Sequence, residues 1–148
     1  MTRVLKSMSQ LPQDQDGDVT SAVIFLHGYG ANGADLMGLV EVLADHMPGT
    51  LFLAPDAPET TVMAPMGLQW FPIPWIDGSS EEDSANSLRA ASEDLNAYLD
   101  GVMVDYDLLP EQVIIFGFSQ GTMMALNVAP RREDPVAGVV AFSGLLLQ

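Results

Sequence analysis

The chain has 148 residues, of which 48% are hydrophobic, and this is enough apolar material for one domain with a buried core rather than a disordered chain. Twenty acidic residues against five basic ones give a formal net charge of −15, so the average field repels nucleic acid and anionic lipid. No cysteine is present, which excludes disulfides, thiolate metal sites and a cysteine nucleophile. The apolar runs are too short for stable membrane insertion and no secretory pattern is visible, so we expect a cytoplasmic protein.

The first third of the chain predicts two strands and a helix. A short strand is expected at Arg3–Met8, followed by a polar, turn-rich connection. Residues 14–18 match a calcium loop poorly in the positions of their glycine and glutamate, so we interpret them as a solvated turn. Residues 21–27 form a continuous apolar run, typical of a strand buried on both faces of a parallel sheet. After a glycine-rich loop, apolar residues at helical spacing predict a helix over Asn32–Met47.

The remainder of the chain continues this alternation. A strand at Thr50–Ala54 leads into a long, proline-rich surface loop over 56–80, which carries both tryptophans either as core caps or as a binding element. An amphipathic helix with an acidic first turn follows Ser79 or Ser80. The last predicted elements are a strand at 112–118, a helix at 120–129 and a strand at Val136–Phe142. This order predicts a single α/β domain with a mostly parallel sheet and helices on both faces.

The segment Gly117–Gly121 matches G-x-S-x-G and lies directly between a predicted strand and a predicted helix. Such a nucleophile elbow holds its serine, here Ser119, in a strained turn with the hydroxyl exposed. Backbone N–H groups at a helix N-terminus stabilise an oxyanion, so Gln120 is the first expected donor. Tyr29, in the loop after a neighbouring strand, is the second. This chemistry requires neither a metal nor another cofactor, and none is expected.

Three segments together resemble the phospholipase/carboxylesterase family of α/β-hydrolases, which includes the acyl-protein thioesterases. They are Phe25–Gly30, Leu68–Phe71 and Ile115–Gly121, and the resemblance extends over about residues 20–146. It implies the α/β-hydrolase fold and a serine carboxylesterase that hydrolyses small-molecule carboxylic esters, with thioesters and lysophospholipids as further substrates. The reaction in that family uses a Ser-Asp-His triad.

The same resemblance implies roles for individual residues. Ser119 corresponds to the nucleophile, and the backbone N–H groups of Tyr29 and Gln120 correspond to the oxyanion donors. Trp70 and Phe71 correspond to a segment that borders the acyl pocket and are the expected substrate-binding residues.

The triad aspartate and histidine of the resembling family follow the strand that corresponds to Val136–Phe142. In this sequence, which stops at Gln148, the two histidines, His27 and His46, both precede Ser119. We therefore interpret residues 1–148 as an incomplete α/β-hydrolase domain, an N-terminal portion truncated after the strand that follows the elbow helix. The general base is expected from outside this stretch, with His27 as an alternative because its strand neighbours the elbow strand.

A last strand at Val136–Phe142 without a neighbour would expose unpaired backbone groups. A complementary C-terminal chain or a second copy of this chain is the expected partner covering that edge. The alternative function is a catalytically silent α/β module that acts by binding or assembly through the same edge.

Overall fold

The computed structural model describes residues 1–13 and 17–147, so most of the predicted solvated turn at 14–18 lies outside the described residues. The strands are β1 (Ser7–Gln10), β2 (Ser21–Leu26), β3 (Thr50–Pro55), β4 (Glu59–Thr60), β5 (Leu68–Gln69), β6 (Val113–Phe118) and β7 (Gly138–Phe142). The helices are α1 (Ala34–Met37), α2 (Val40–Leu43), α3 (Pro74–Asp77), α4 (Glu81–Asp105) and α5 (Gln120–Val128), with 3₁₀ turns at Ala44–His46, Pro110–Gln112 and Ala129–Arg131.

Five strands form one sheet in the order β1-β3-β2-β6-β7, and β4 pairs with β5 in a separate small hairpin. Within the residues that the structure describes, β1 alone is antiparallel to its neighbour in the large sheet and the other pairings are parallel, which confirms the predicted mostly parallel α/β architecture. The central strands β2 and β6 are in register, with Leu26 opposite Gly117. Because both strands run the same way, the loop that follows β2 and the turn that follows β6 emerge side by side.

Helices cover both faces of the sheet, as the apolar runs predict. Alternate residues of β2 point to opposite faces: Ile24 and Leu26 join the larger core with α4 and α5, and Val23 and Phe25 join the smaller core with α1 and α2. Burial of each side chain of this kind stabilises the folded state by roughly 1.5–3 kcal/mol. The two cores therefore fix β2 and β6 as the rigid base of the adjoining loops.

The long helix α4 begins where the sequence predicts. The hydroxyl of Ser80 accepts a hydrogen bond from the Asp83 backbone N–H at 3.0 Å, which identifies Ser80 rather than Ser79 as the N-cap. Three acidic residues in the first turn favour the positive end of the helix dipole. No helix of the described residues is both long and apolar enough to cross a membrane.

Several predicted boundaries were wrong. The helix expected over Asn32–Met47 is divided into α1, α2 and a 3₁₀ turn, because Gly38 weakens the helix and i+3 hydrogen bonds such as Leu39 N–H to Leu36 O replace the α pattern. The opening strand is at Ser7–Gln10, so it begins four residues and ends two residues later than predicted, and it pairs with β3. The loop over 56–80 contains the β4–β5 hairpin and α3.

Candidate active site

Ser119 occupies a sharp turn between β6 and α5, with φ 55° and ψ −114°. A positive φ in a residue with a side chain costs on the order of 1–3 kcal/mol, and the surrounding structure has to hold it in place. The flanking glycines permit the turn, since a Cβ on Gly117 would lie 2.6 Å from the Gly121 carbonyl oxygen, and a Cβ on Gly121 would overlap the Leu26 carbonyl oxygen. Ser119 itself is partly exposed at the carboxyl end of the sheet.

The end of β7 supports this turn. The Ser119 backbone N–H donates to the Phe142 carbonyl oxygen at 2.8 Å, and the Thr122 hydroxyl lies 2.6 Å from the same oxygen. Thr122 also lies 2.8 Å from the Gly117 carbonyl oxygen, so its hydroxyl joins both sides of the turn. Sequence reasoning missed this support, for which the only signal was a threonine placed three residues after the serine.

The loop after β2 lies directly against Ser119. A Cβ on Gly28 would be 3.2 Å from the Ser119 Cβ, so the absence of a side chain permits the close approach. Tyr29 and Gly30 form the centre of a turn closed by the Ala31 N–H to the Gly28 carbonyl oxygen, with Gly30 at φ 80°. Among the described residues, the backbone N–H groups of Tyr29 and Gln120 have no acceptor, which leaves both donors available.

His27 is not placed to act as a base for Ser119, so that alternative was wrong. Its ring is fully buried, and Nε2 accepts a hydrogen bond from the Ala57 N–H at 2.9 Å. The proton is thereby assigned to Nδ1, which donates to the Gly28 carbonyl oxygen at 2.8 Å. Burial lowers the pKa of His27 from 6.5, although this hydrogen bond and the nearby Asp56 and Asp35 carboxylates oppose the shift. The imidazole is therefore neutral and structural.

His46 lies at the other end of the molecule. It ends the 3₁₀ turn that precedes β3 and is exposed near the amino ends of the parallel strands, whereas Ser119 is at their carboxyl ends. Neither histidine of the sequence is thus placed to activate Ser119.

Trp70 and Phe71 lie in the core beneath the site rather than on an open surface. Trp70 is 0% exposed, and its indole N–H donates to the His27 carbonyl oxygen at 3.0 Å. The Trp70 and His27 rings are 5.6 Å apart between centroids, and Phe71 is 3% exposed. Contact of these two residues with an acyl chain stays a prediction.

The Gln120 side chain has a role that the sequence reasoning did not include. It is fully buried, its Oε1 accepts from the Trp70 backbone N–H at 2.9 Å, and its Nε2 donates to the Phe71 carbonyl oxygen at 2.7 Å. The residue thus combines a free backbone N–H at the start of α5 with a side chain committed to a segment fifty residues earlier.

The Tyr29 side chain is tied to α3. Its hydroxyl donates to Asp77 Oδ2 at 3.1 Å, and burial, followed by this hydrogen bond, raises the pKa of Tyr29 above 10.0. Burial also acts to raise the pKa of Asp77, but hydrogen bonds from Ser79, Ile73 and Tyr29 outweigh it and lower that pKa. Asp77 is therefore an ionised acceptor at neutral pH. In the described part of the chain, no three or more His, Cys, Asp or Glu side chains lie together in a group that could hold a metal ion.

Comparisons with known proteins identify the family of this chain. The family model for phospholipase/carboxylesterase matches residues 12–148. Acyl-protein thioesterase 1 of Saccharomyces cerevisiae is 35% identical over 133 residues, which cover 82% of this chain and 56% of that protein. The protein of the same name from Mycosarcoma maydis is 32% identical over 136 residues, which cover 84% and 57%.

Among solved structures, the crystal structure of esterase PE8 superposes with a TM-score of 0.88 and 34% identity, covering 97% of this chain and 66% of that one. The chain thus spans little more than half the length of the two thioesterases. On the family match and this likeness, the chain belongs to the phospholipase/carboxylesterase family and has the α/β-hydrolase fold.

Proposed function

We propose that this chain supplies the nucleophile and the oxyanion hole of a cytoplasmic serine hydrolase that cleaves carboxylic esters, with acyl thioesters and lysophospholipids as further substrates. The observation that carries the proposal is the conformation of Ser119, a partly exposed serine held at φ 55° at the N-terminus of a helix. A packed strand-to-helix connection has no need of that strain, whereas an exposed nucleophile does. The sequence contains no cysteine, so these residues form no disulfides and provide no thiol nucleophile.

In the proposed reaction, Ser119 Oγ forms a bond to the acyl carbonyl carbon and its proton passes to a general base. The carbonyl oxygen becomes negatively charged and accepts hydrogen bonds from the Tyr29 and Gln120 backbone N–H groups. The bond to the alcohol or thiol then breaks, and the leaving group takes the proton from the base. Water, deprotonated by the same base, then bonds to the acyl carbon, the bond between that carbon and Ser119 Oγ breaks, and the base returns its proton to Oγ as the acid leaves.

We propose that the base comes from outside these 148 residues. His27 has both ring nitrogens engaged, and His46 lies at the opposite end of the sheet. The matched thioesterases are longer than this chain, with 44% and 43% of their lengths unmatched. A complementary C-terminal chain that completes the fold would supply the base. It would also cover the β7 edge, where Val140 is 42% and Phe142 55% exposed.

The test compares Ser119→Ala with Ser9→Ala, an exposed serine on β1 far from the turn. Hydrolysis of p-nitrophenyl butyrate and of an acyl thioester is measured before and after adding the C-terminal part of a matched thioesterase. We expect turnover to rise on addition and to be lost in Ser119→Ala but retained in Ser9→Ala. Turnover that survives in Ser119→Ala overturns the assignment of the nucleophile.

A second function is favoured by the open edge of β7: a catalytically silent module that acts through binding. A fluorophosphonate probe separates the two, because a serine reacts rapidly with it only when a base and an oxyanion hole are assembled. Binding of the added C-terminal part without any labelling of Ser119 supports the silent module and contradicts the esterase.

A further inference from the structure

The segment Leu68–Phe71 lies between the loop that carries Tyr29 and the helix that begins with Gln120. On the side of the loop, the Gly30 N–H donates to the Leu68 carbonyl oxygen at 2.8 Å, and the Leu68 N–H donates to the Ala31 carbonyl oxygen at 2.9 Å. The Trp70 indole adds its hydrogen bond to the His27 carbonyl oxygen at 3.0 Å. Three bonds thus fasten the segment to both ends of the turn that presents the Tyr29 N–H.

On the side of the helix, the Gln120 side chain meets the same segment. It accepts from the Trp70 backbone N–H at 2.9 Å and donates to the Phe71 carbonyl oxygen at 2.7 Å, so both polar atoms of the buried amide have a partner in this segment. The donor N–H of Gln120 and this side chain belong to one residue. The position of its backbone is therefore coupled to the segment through a single, fully buried side chain.

Simple filling of the core does not account for this arrangement. A buried amide is costly unless each of its polar atoms finds a partner, and an aliphatic residue of similar volume would pack without that cost. Likewise, a phenylalanine at position 70 would fill much of the indole's space but leave the His27 carbonyl oxygen without this donor. Fully satisfied buried networks of this kind favour one rigid geometry.

We propose that Trp70–Phe71 and the Gln120 side chain form a positioning bridge that fixes the separation of the two oxyanion donors. Trp70 and the Gln120 side chain are then positioning residues that act through the backbones of Tyr29 and Gln120. The inference rests on the proposed function for its catalytic consequence, while its structural part stands independently. It also gives a reason for the complete burial of Trp70 next to an accessible serine.

The structural part is tested by amide hydrogen exchange in Gln120→Met, which keeps the side-chain volume and removes both hydrogen bonds. Exchange at Trp70 rises in any case, because its acceptor is lost. We expect the Gly30, Ala31 and Ala57 amides on the far side of the bridge also to exchange about tenfold faster. Unchanged exchange at those three amides overturns the proposal.

Trp70→Phe is the second variant and decides the matter if Gln120→Met does not fold. It removes the indole N–H and the part of the indole volume that a phenyl ring does not fill, and we expect faster exchange at Gly30 and Ala31 with the fold intact. Trp75→Phe is the matched control, because Trp75 is 67% exposed, and it should change none of these amides. Equal exchange in Trp70→Phe and Trp75→Phe contradicts the bridge.

The catalytic part is tested on the assembled hydrolase with p-nitrophenyl butyrate. Misplaced oxyanion donors stabilise the transition state less, while substrate binding in the ground state changes little. We therefore expect kcat in Trp70→Phe to fall on the order of tenfold to a hundredfold, with KM little changed. A rise in KM at constant kcat would indicate lost substrate contact and would contradict a positioning role. If Ser119→Ala retains turnover while the exchange effects appear, the proposed function fails and the bridge stands as a structural feature.

Discussion

Gly28 and Ser119 approach so closely that a Cβ on Gly28 would lie 3.2 Å from the Ser119 Cβ and 3.4 Å from the Phe118 carbonyl oxygen. The two residues follow neighbouring strands, β2 and β6, whose register places Leu26 opposite Gly117. The contact between the loop and the serine is therefore a direct consequence of the central strand pairing. Because of this contact, even a methyl group added at position 28 should displace the loop.

Gly28→Ala should push the loop away from Ser119. The added methyl group would lie 3.2 Å from the Ser119 Cβ, which is tighter than ordinary van der Waals contact, and overpacking of this kind costs about 1–3 kcal/mol. We expect a modest loss of stability in urea denaturation and a larger loss of fluorophosphonate labelling at Ser119 in the assembled hydrolase. Full labelling with the stability lowered would show that the loop contributes to the fold but not to the site.

Two glycines provide a matched pair with opposite expected signs. A Cβ on Gly121 overlaps the Leu26 carbonyl oxygen, so Gly121→Ala should cost about 3 kcal/mol or more in the free energy of unfolding. Gly101 lies inside α4 with nothing within 4 Å of an added Cβ, so Gly101→Ala should stabilise the protein by about 0.5–1 kcal/mol. Urea denaturation of both variants checks the signs, and a stabilising Gly121→Ala would contradict the close approach of α5 to β2.

The burial of His27 predicts a dependence of stability on pH. Its pKa in the folded protein is lower than the 6.5 of an exposed histidine, so the unfolded chain binds more protons in the interval below 6.5. The contribution of His27 is complete above pH 6.5 and is lost as the pH falls through that interval towards the folded pKa. The free energy of unfolding should therefore decrease with acidification from about pH 7.

His27→Gln and His46→Gln separate this effect from the rest of the protein. The first removes the buried titrating group and should flatten the slope of stability against pH below 6.5. The second removes an exposed histidine and should leave the slope intact. Equal slopes in the two variants would assign the pH dependence to other groups.

Asp94 offers a test of how the amino-terminal residues are held. It is 2% exposed and accepts from the Arg3 backbone N–H at 2.6 Å and from the Arg3 Nε at 2.7 Å. Asp94→Asn leaves one of these donors poorly satisfied, and we expect a loss of about 1–3 kcal/mol in urea denaturation. Asp100→Asn, which disrupts an ion pair whose aspartate side chain is 65% exposed, should cost less than about 1 kcal/mol.

The strands and the turn that carry the site could be predicted from local sequence patterns. The contacts between residues distant in sequence could not. The G-x-S-x-G segment between a strand and a helix predicts the turn at Ser119, and continuous apolar runs predict β2 and β6. The role of the Gln120 side chain depends on Trp70, fifty residues away, and the support of the turn depends on a backbone carbonyl at Phe142. Which distant backbone atom a side chain contacts is decided by tertiary packing, which the local sequence does not show.

The same limit explains the reassignment of His27. Its position at the end of a strand beside the Ser119 turn is readable from the sequence, but the two backbone partners that occupy its ring nitrogens come from Gly28 and from Ala57 in a separate loop. A histidine is available as a base only if one ring nitrogen is free to accept a proton from the nucleophile. That condition is tertiary, so the sequence left the alternative open and the structure removes it.

The exposed edge at β7 predicts how the isolated chain behaves in solution. Val140 is 42% exposed on the edge strand, beside Phe142 and the partly covered face of β6. Because uncovered edge strands pair with one another, the isolated chain should self-associate as its concentration rises. Val140→Lys places a charge on this edge and should keep the chain monomeric in sedimentation velocity. Val104→Lys, a change of the same kind at an 80% exposed site on α4, should leave association unchanged. The use of β7 as an assembly edge would be contradicted by a chain that stays monomeric at every concentration, or by two variants that behave alike. Suppression of self-association by the C-terminal part of a matched thioesterase would identify the occupant that the edge prefers.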